Sequence, residues 1–195
     1  MLQKFKVHNF KNFKNDLEID FSDVNGYKFS QDCLTNDLIG KMIIYGKNGS
    51  GKTNLGYALC DLKATLGFSP EINTLHSFIS NADSDSDITT FTYTFLFNQK
   101  KDTAVYEYSK SDMVNLVSEK LSVNNHVLYE YDFKDNMFIT VDSDYFHNND
   151  IYSIYQSSTN SSLPFLRWCV NNGSVDKDSI FHKIYSYGSK ITQIF

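Results

Sequence analysis

Gly46-Lys47-Asn48-Gly49-Ser50-Gly51-Lys52-Thr53 is the stretch on which the reading of this chain turns. It fits G-x-x-x-x-G-K-[ST], the pattern of a phosphate-binding loop. Glycines at this spacing let the backbone curl until successive N–H groups point inward and form an anion-sized nest. Gly46, Asn48, Gly49, Ser50 and Gly51 make the curl, and Lys52 is placed to reach the β- and γ-phosphates. Thr53 supplies a hydroxyl for Mg²⁺, and Asn54 follows in the first helical turn. Such a match arises by chance in roughly one chain in a hundred of this length, so the flanks decide. Lys41-Met42-Ile43-Ile44-Tyr45 before it reads as a short apolar strand. After it, apolar residues fall at 55, 58, 59, 62 and 66, the spacing of one helix face. Strand, glycine loop and helix are the context the pattern needs, and the helix N-terminus adds partial positive charge. The expectation is a site for ATP with Mg²⁺; the competing reading is a glycine-rich turn between a strand and a helix.

Composition sets the frame. One hundred and ninety-five residues suit one domain, or one domain with a lobe, and 41% hydrophobic content supports a core. The 13 Tyr and 16 Phe beside only 2 Pro favour strands. A net charge of −5 gives no basic field, so the bulk charge offers no support for nucleic acid. Cys33, Cys60 and Cys169 are widely spaced and odd in number, which fits a reducing cytoplasm better than a disulfide framework. No apolar run is long enough to span a bilayer, and the N-terminus lacks the apolar block of a signal peptide. A soluble cytoplasmic protein is expected.

Taken in order, residues 2–9 and 17–21 alternate as strands around a basic turn, Asn9-Phe10-Lys11-Asn12-Phe13-Lys14. Asn25-Gly26 is a turn, and residues 27–39 read as loop or a short helical turn. The first division, 1–68, ends with the helix near Gly67. Residues 69–87 carry Ser69-Pro70 and the polar run Asn81 to Asp87, a solvated loop without the glycine and distal glutamate of a calcium loop. Residues 88–97, 104–108, 114–121, 127–133 and 137–141 then alternate as five strands with hairpin-sized connections. They make an antiparallel lobe that closes the second division, 69–142. In the third, 143–195, residues 143–163 read as a loop or lid. Leu163, Leu166 and Val170, then Ile180 and Ile184, suggest helices interrupted at Asn171-Asn172-Gly173, with Phe165 and Trp168 in the core.

On these residues the chain resembles an ABC-type ATPase head of the SMC/RecF/OLD kind, and more narrowly the AAA-class ATPases of bacterial anti-phage defence operons. Phe5 to Phe13 is similar to that family's first strand and "NF-basic-x-F" turn. Gly46 to Leu55 resembles "G-x-N-G-S-G-K-T-N-L". Ser186-Tyr187-Gly188-Ser189-Lys190 resembles the divergent signature "S-x-G-[ST]-[KR]" at the opening of a helix; the bland reading is a Ser/Gly loop beside a helix. The resemblance implies an α/β fold: the N-terminal half of an ABC-type P-loop NTPase with an antiparallel β-lobe and C-terminal helices. It implies ATP and Mg²⁺ sandwiched in a homodimer or larger oligomer, the Ser186 and Gly188 of one head facing the phosphate held by the other. It also implies Lys11, or Lys14, beside the phosphates, and a gated effector, a nuclease or toxin.

Departures from the family weigh equally. Its acidic motif, an apolar run ending in Asp-Glu after the signature, has no counterpart here. Phe138-Ile139-Thr140-Val141-Asp142 is followed by Ser143 and reads as a lobe strand. The expectation is a head segment that binds ATP and turns over little, either the front of a longer ATPase or one half of a split one, with part of its core uncovered. Gln99 and Gln156 are poor candidates for the family's metal-binding glutamine. The five histidines show no ligand or triad spacing. A non-catalytic assembly module with a regulatory or vestigial loop is the alternative. A small-molecule kinase ranks lower, since Arg167 is the only arginine.

Overall fold

A computed structural model describes residues 1–26, 28, 30–67, 79–97, 102–146, 150–158 and 163–191. Ser69-Pro70, Gln99, His76, His147 and the tail after Ile191 lie outside them. The described chain is mixed α/β, built on one seven-stranded antiparallel sheet. Its strands are β1 (Leu2–His8), β2 (Leu17–Asp20), β5 (Thr89–Phe97), β6 (Asp102–Lys110), β7 (Leu116–Val123), β8 (His126–Asp132) and β9 (Met137–Val141), in the order β2-β1-β5-β6-β7-β8-β9. Two-residue strands β3 (Leu34–Thr35) and β4 (Leu38–Ile39) form a separate small hairpin. The helices are α1 (Lys52–Thr65), α2 (Asp150–Ser157), α3 (Phe165–Asn171) and α4 (Ile180–Lys190).

Period-two alternation dictates the sheet. Along β5, Thr89, Phe91, Tyr93 and Phe95 are buried while Thr90, Thr92 and Thr94 are half-exposed. One face is therefore aromatic and covered, and the other carries polar cross-strand pairs, Thr92 Oγ1 to Glu107 (2.9 Å) and Lys120 to Glu130 (2.8 Å). Registry stacks the aromatics: Tyr93 opposes Tyr106, and Phe91 opposes Tyr108. The Phe91 and Tyr108 rings lie 5.3 Å apart.

The membership of the sheet and the start of the third division differ from the sequence reading. β1 and β2, assigned to the nucleotide core, join the lobe strands in one sheet, with Phe5 opposite Tyr93. The division at residues 68 and 69 therefore does not divide the sheet. Residues 150–157, read as part of a loop or lid, form α2, because Ile151 and Tyr155 recur one turn apart and bury against the core.

Three buried polar anchors fix the helices to the aromatic face. Asp61, on α1, receives Lys110 Nζ at 3.1 and 2.8 Å, Tyr108 Oη at 2.8 Å and Thr65 Oγ1 at 3.0 Å. Tyr93 Oη donates to the Ala58 carbonyl (3.0 Å) and accepts from the Leu62 N–H (3.3 Å), the two groups of a single helical rung. Glu119, fully buried, accepts from Tyr106 Oη (2.9 Å), Tyr129 Oη (2.7 Å) and the Phe165 and Leu166 N–H groups (2.6 and 3.1 Å). Its carboxylate thus serves the free N–H groups at the start of α3. Burial outweighs those four bonds and pushes its carboxyl above the ordinary range. The same burial holds the Tyr93, Tyr106, Tyr108 and Tyr129 hydroxyls far above theirs, so they remain donors.

The Asp61–Lys110 pair is testable by subtraction. Lys110→Met strands a buried carboxylate and is expected to cost about 3–5 kcal/mol in urea unfolding. The double variant Asp61→Asn, Lys110→Met keeps acceptors for Tyr108 and Thr65 and should recover most of that loss. A single variant as stable as the parent would show that the pair does not hold α1.

Candidate functional site

The octapeptide is an exposed curl that runs directly into α1, and residues 41–50 are all solvent-exposed. Gly49 has φ 79° and Gly51 φ 92°, left-handed values that glycine adopts without steric cost. Gly51 is the helix N-cap and makes no side-chain cap bond. The amides at the start of a helix have no partner four residues back, so those of the first turn of α1 face outward as a group. Ser50 N–H alone turns back within the curl, to the Lys47 carbonyl (3.3 Å). An uncapped helix start beneath two left-handed glycines is the backbone form that accepts an anion.

Lys52 is folded over the curl. Its Nζ donates to the carbonyls of Gly46 (2.8 Å) and Lys47 (2.7 Å) and lies 3.4 Å from Ser50 Oγ. The cation thus sits on the rim, bonded to main-chain oxygens and paired with no carboxylate among the described residues. Thr53 is exposed in the first turn, where its hydroxyl is open to a metal. Asn54 is half-buried and donates from Nδ2 to Asn12 Oδ1 (2.7 Å).

That bond brings in the turn between β1 and β2. A Cβ placed on Gly51 would lie 2.1 Å from Asn12 Nδ2, so the Asn12 carboxamide rests directly on the glycine. Of the two basic candidates, Lys14 points away: its Nζ donates to the Asp83 carbonyl (2.5 Å). Lys11 sits at φ 49° with its ammonium 5.8 Å from the Phe10 ring centroid, and partial burial lowers its pKa. Asn12, between them, touches the loop at Gly51 and Asn54, and carries no charge to mark it in the sequence.

The polar run 81–87, expected only to be solvated, clasps this turn from behind. Asn9, fully buried, donates from Nδ2 to the Ser86 and Ile88 carbonyls (2.6 and 2.9 Å) and accepts from Asn81 N–H (3.1 Å). Lys11 N–H donates to the Ile79 carbonyl (2.7 Å), and Asn81 Nδ2 to the Lys11 carbonyl. Most of these partners are backbone carbonyls, which leave no trace in residue identity.

Other expected residues lie elsewhere. Ser186 and Gly188 fall in the last turns of α4, not at the opening of a helix, because the helix starts earlier, at the Ser179 cap that accepts from His182 N–H. Ser186 faces a cleft of about 640 Å³ also lined by Lys183, Tyr187 and Lys190. Lys63, in the last turn of α1, donates to the Ile191 carbonyl (2.7 Å) just past the end of α4. Lys63 lies eleven residues along α1 from Lys52, about 16 Å at 1.5 Å per residue. The structure therefore does not bring Ser186 and Gly188 to the loop of their own chain. Asp142 ends the strand at the far edge of the sheet, five steps from β1 or about 24 Å. There it pairs with His126 (2.8 Å) and caps a turn. Gln156 ties α2 to the β8–β9 turn through Asn136. Among the described residues, no group of three His, Cys, Asp or Glu could hold a metal, and no helix is long and apolar enough to cross a membrane.

The stretch before the curl is the largest departure from expectation. Residues 41–45 make no sheet pairing; Lys41 N–H reaches the Cys33 carbonyl (3.2 Å), and Met42 to Tyr45 form no ladder. Ile43 is 87% and Tyr45 91% exposed. On α1, Tyr57 and Leu59 are half-buried and pack against the rim of the core, Cys60 is half-buried, and nothing lies within 4 Å of a Cβ built on Gly56. Compared with models of known protein families and with curated proteins, the chain gives no match.

Two glycines five residues apart, one closing the curl and one inside α1, should respond with opposite sign. Gly51→Ala forces a left-handed alanine into the Asn12 carboxamide and is expected to destabilise by at least about 1–2 kcal/mol. Gly56→Ala, in open space on α1, is expected to stabilise by about 0.5–1 kcal/mol. Urea unfolding of both variants measures the contrast.

Proposed function

We propose that this chain is the ATP·Mg²⁺-binding segment of an ABC-type, SMC-like ATPase. The observation that carries the reading is the curl at 46–53: two left-handed glycines, an uncapped helix start, and a lysine bonded to the rim carbonyls. The triphosphate replaces those carbonyls as the partner of Lys52, the first-turn amides take its oxygens, and Thr53 ligates Mg²⁺. Exchanging neutral carbonyls for a polyanion strengthens every bond the ammonium makes.

The bare apolar segment 42–45 supports an incomplete head. An apolar strand feeding a helix is normally buried in a second sheet, on the side of α1 away from the seven-stranded one. In this reading that sheet brings the acidic residues that phosphoryl chemistry needs, one for the metal and one for the attacking water. It comes either from further sequence of the same protein or from a second polypeptide. A dimer in which Ser186 and Gly188 face the nucleotide of another copy, and an effector nuclease or toxin in phage defence, extend the proposal by family analogy.

Calorimetry is the direct test. Titration with ATP·Mg²⁺ should give heat of binding with the parent chain and none with Lys52→Ala, while Thr53→Ala should lose the benefit of Mg²⁺ over EDTA. Phosphate release by the chain alone should stay at background. No heat with the parent chain would favour a non-catalytic assembly module, and brisk Lys52-dependent turnover would overturn the claim that the site lacks its acids.

A further inference from the structure

We infer that Asn12 belongs to the phosphate site, as a side-chain donor that extends the main-chain nest from outside the octapeptide. The inference rests on the nucleotide-binding reading above and adds a residue that lies 34 positions before the motif.

Asn12 is solvent-exposed, and an exposed asparagine is ordinarily free to rotate. Here it is held twice. Its Oδ1 accepts from Asn54 Nδ2 at 2.7 Å, and its carboxamide rests on Gly51 with the nitrogen nearest, Nδ2, Cγ and Oδ1 lying 2.1, 2.9 and 3.0 Å from a Cβ built there. With Oδ1 taken, the two Nδ2 hydrogens are the unspent polar groups on the loop side, and no described residue accepts them. They stand at the first turn of α1, beside the uncapped amides. A neutral donor in that place adds a hydrogen bond to an anionic oxygen, the strong kind, without adding charge.

The backbone that presents Asn12 is built for position. Lys11, a non-glycine residue, is held left-handed at φ 49°, and Asn9 at φ 55°. Phe10 and Phe13 exchange both of their backbone bonds across the turn at 2.8 Å. The buried Asn9 side chain and the Ile79 carbonyl pin the turn to the 79–88 segment. Strained backbone of this kind persists only where its surroundings over-determine it, and it concentrates at ligand sites. The fixed turn, the contact with Gly51 and the bond from Asn54 together hold the carboxamide beside the start of α1.

The test is ATP·Mg²⁺ affinity, by calorimetry on the full chain, for the parent, Asn12→Ala, Asn12→Asp, Asn54→Ala and the charge control Asn15→Asp. Loss of a donor to phosphate is expected to weaken binding about tenfold in Asn12→Ala. Asn12→Asp sets a carboxylate against phosphate and should weaken it by about a hundredfold or more at pH 7.5. Its deficit should shrink as the pH is lowered toward the carboxylate range, where the protonated side chain donates again. Asn54→Ala, which frees the amide to rotate, should fall between parent and Asn12→Ala, and Asn15→Asp should stay within about twofold of parent. Melting temperatures should match the parent in all four. Parent binding with Asn12→Ala and Asn12→Asp unchanged would overturn the inference and leave the nucleotide site standing. Equal losses in both variants with a lowered melting temperature and no pH dependence would also overturn it, by reducing Asn12 to a structural contact. No binding by the parent would instead overturn the nucleotide reading, and Asn12's role with it.

Discussion

The grip of the aromatic sheet on α1 is the constraint from which the rest follows. A helix that opens with an exposed glycine curl cannot be positioned from that end, since residues 41–50 contribute no buried contact. It is positioned further along. Leu55, Ala58 and Leu62 bury in one core with the aromatic residues of the sheet, but apolar packing alone would let the helix slide or rotate. Asp61 removes that freedom: three side chains converge on one carboxylate, two of them from the sheet. Tyr93 adds a fixed point on the Ala58–Leu62 rung. Buried ion pairs add little net stability but strongly penalise any arrangement that separates them. The penalty here sets the register of α1 on β5 and β6, and so sets where its N-terminus emerges.

That register explains why the curl meets the β1–β2 turn. β1 lies next to β5 in the sheet, and the turn after β1 projects at the end where α1 begins. The turn is held by Asn9 and the 79–88 segment, the curl by α1, and the two meet at Gly51 and Asn12. A side chain at 51 would separate them, so the glycine answers two demands at once: the left-handed φ and the close approach of a neighbouring amide.

Much of this was legible in the sequence because the signals were local. Alternation of Thr with Phe and Tyr between 88 and 97 gave β5 almost to the residue, and the spacing of residues 55, 58, 59, 62 and 66 gave the buried face of α1 except for Leu59, which is half-buried. What escaped was decided by distant or chemically silent partners. Nothing in residues 2–8 says that they pair with 90–95 rather than with a strand of the nucleotide core. The clasp formed by the 79–88 segment works mostly through main-chain groups, with the Asn81 side chain added, so Ser, Asp and Asn there read only as polar loop. α2 was hidden by the Ser and Asn around Ile151 and Tyr155. Ser186 to Lys190 was read as the opening of a helix; the Ser179 cap, seven residues earlier, starts that helix and leaves the glycine in its last turns.

The unpaired segment 42–45 is where local and global reasoning diverge most usefully. Its composition is that of a buried strand, yet its alternate residues Ile43 and Tyr45 stand in water. Four exposed apolar side chains next to unpaired backbone groups are a conflict between local preference and surroundings, and natural sequences resolve such conflicts by burial. In the proposed reading, the layer that covers this segment also closes over the curl, and completing the fold completes the phosphate site in one event. Such a layer would bury apolar surface and supply carboxylates in the same step. A bound triphosphate, gathering Lys52 and the first-turn amides at that junction, would favour the covered state over the open one by any contact it shares with the added layer.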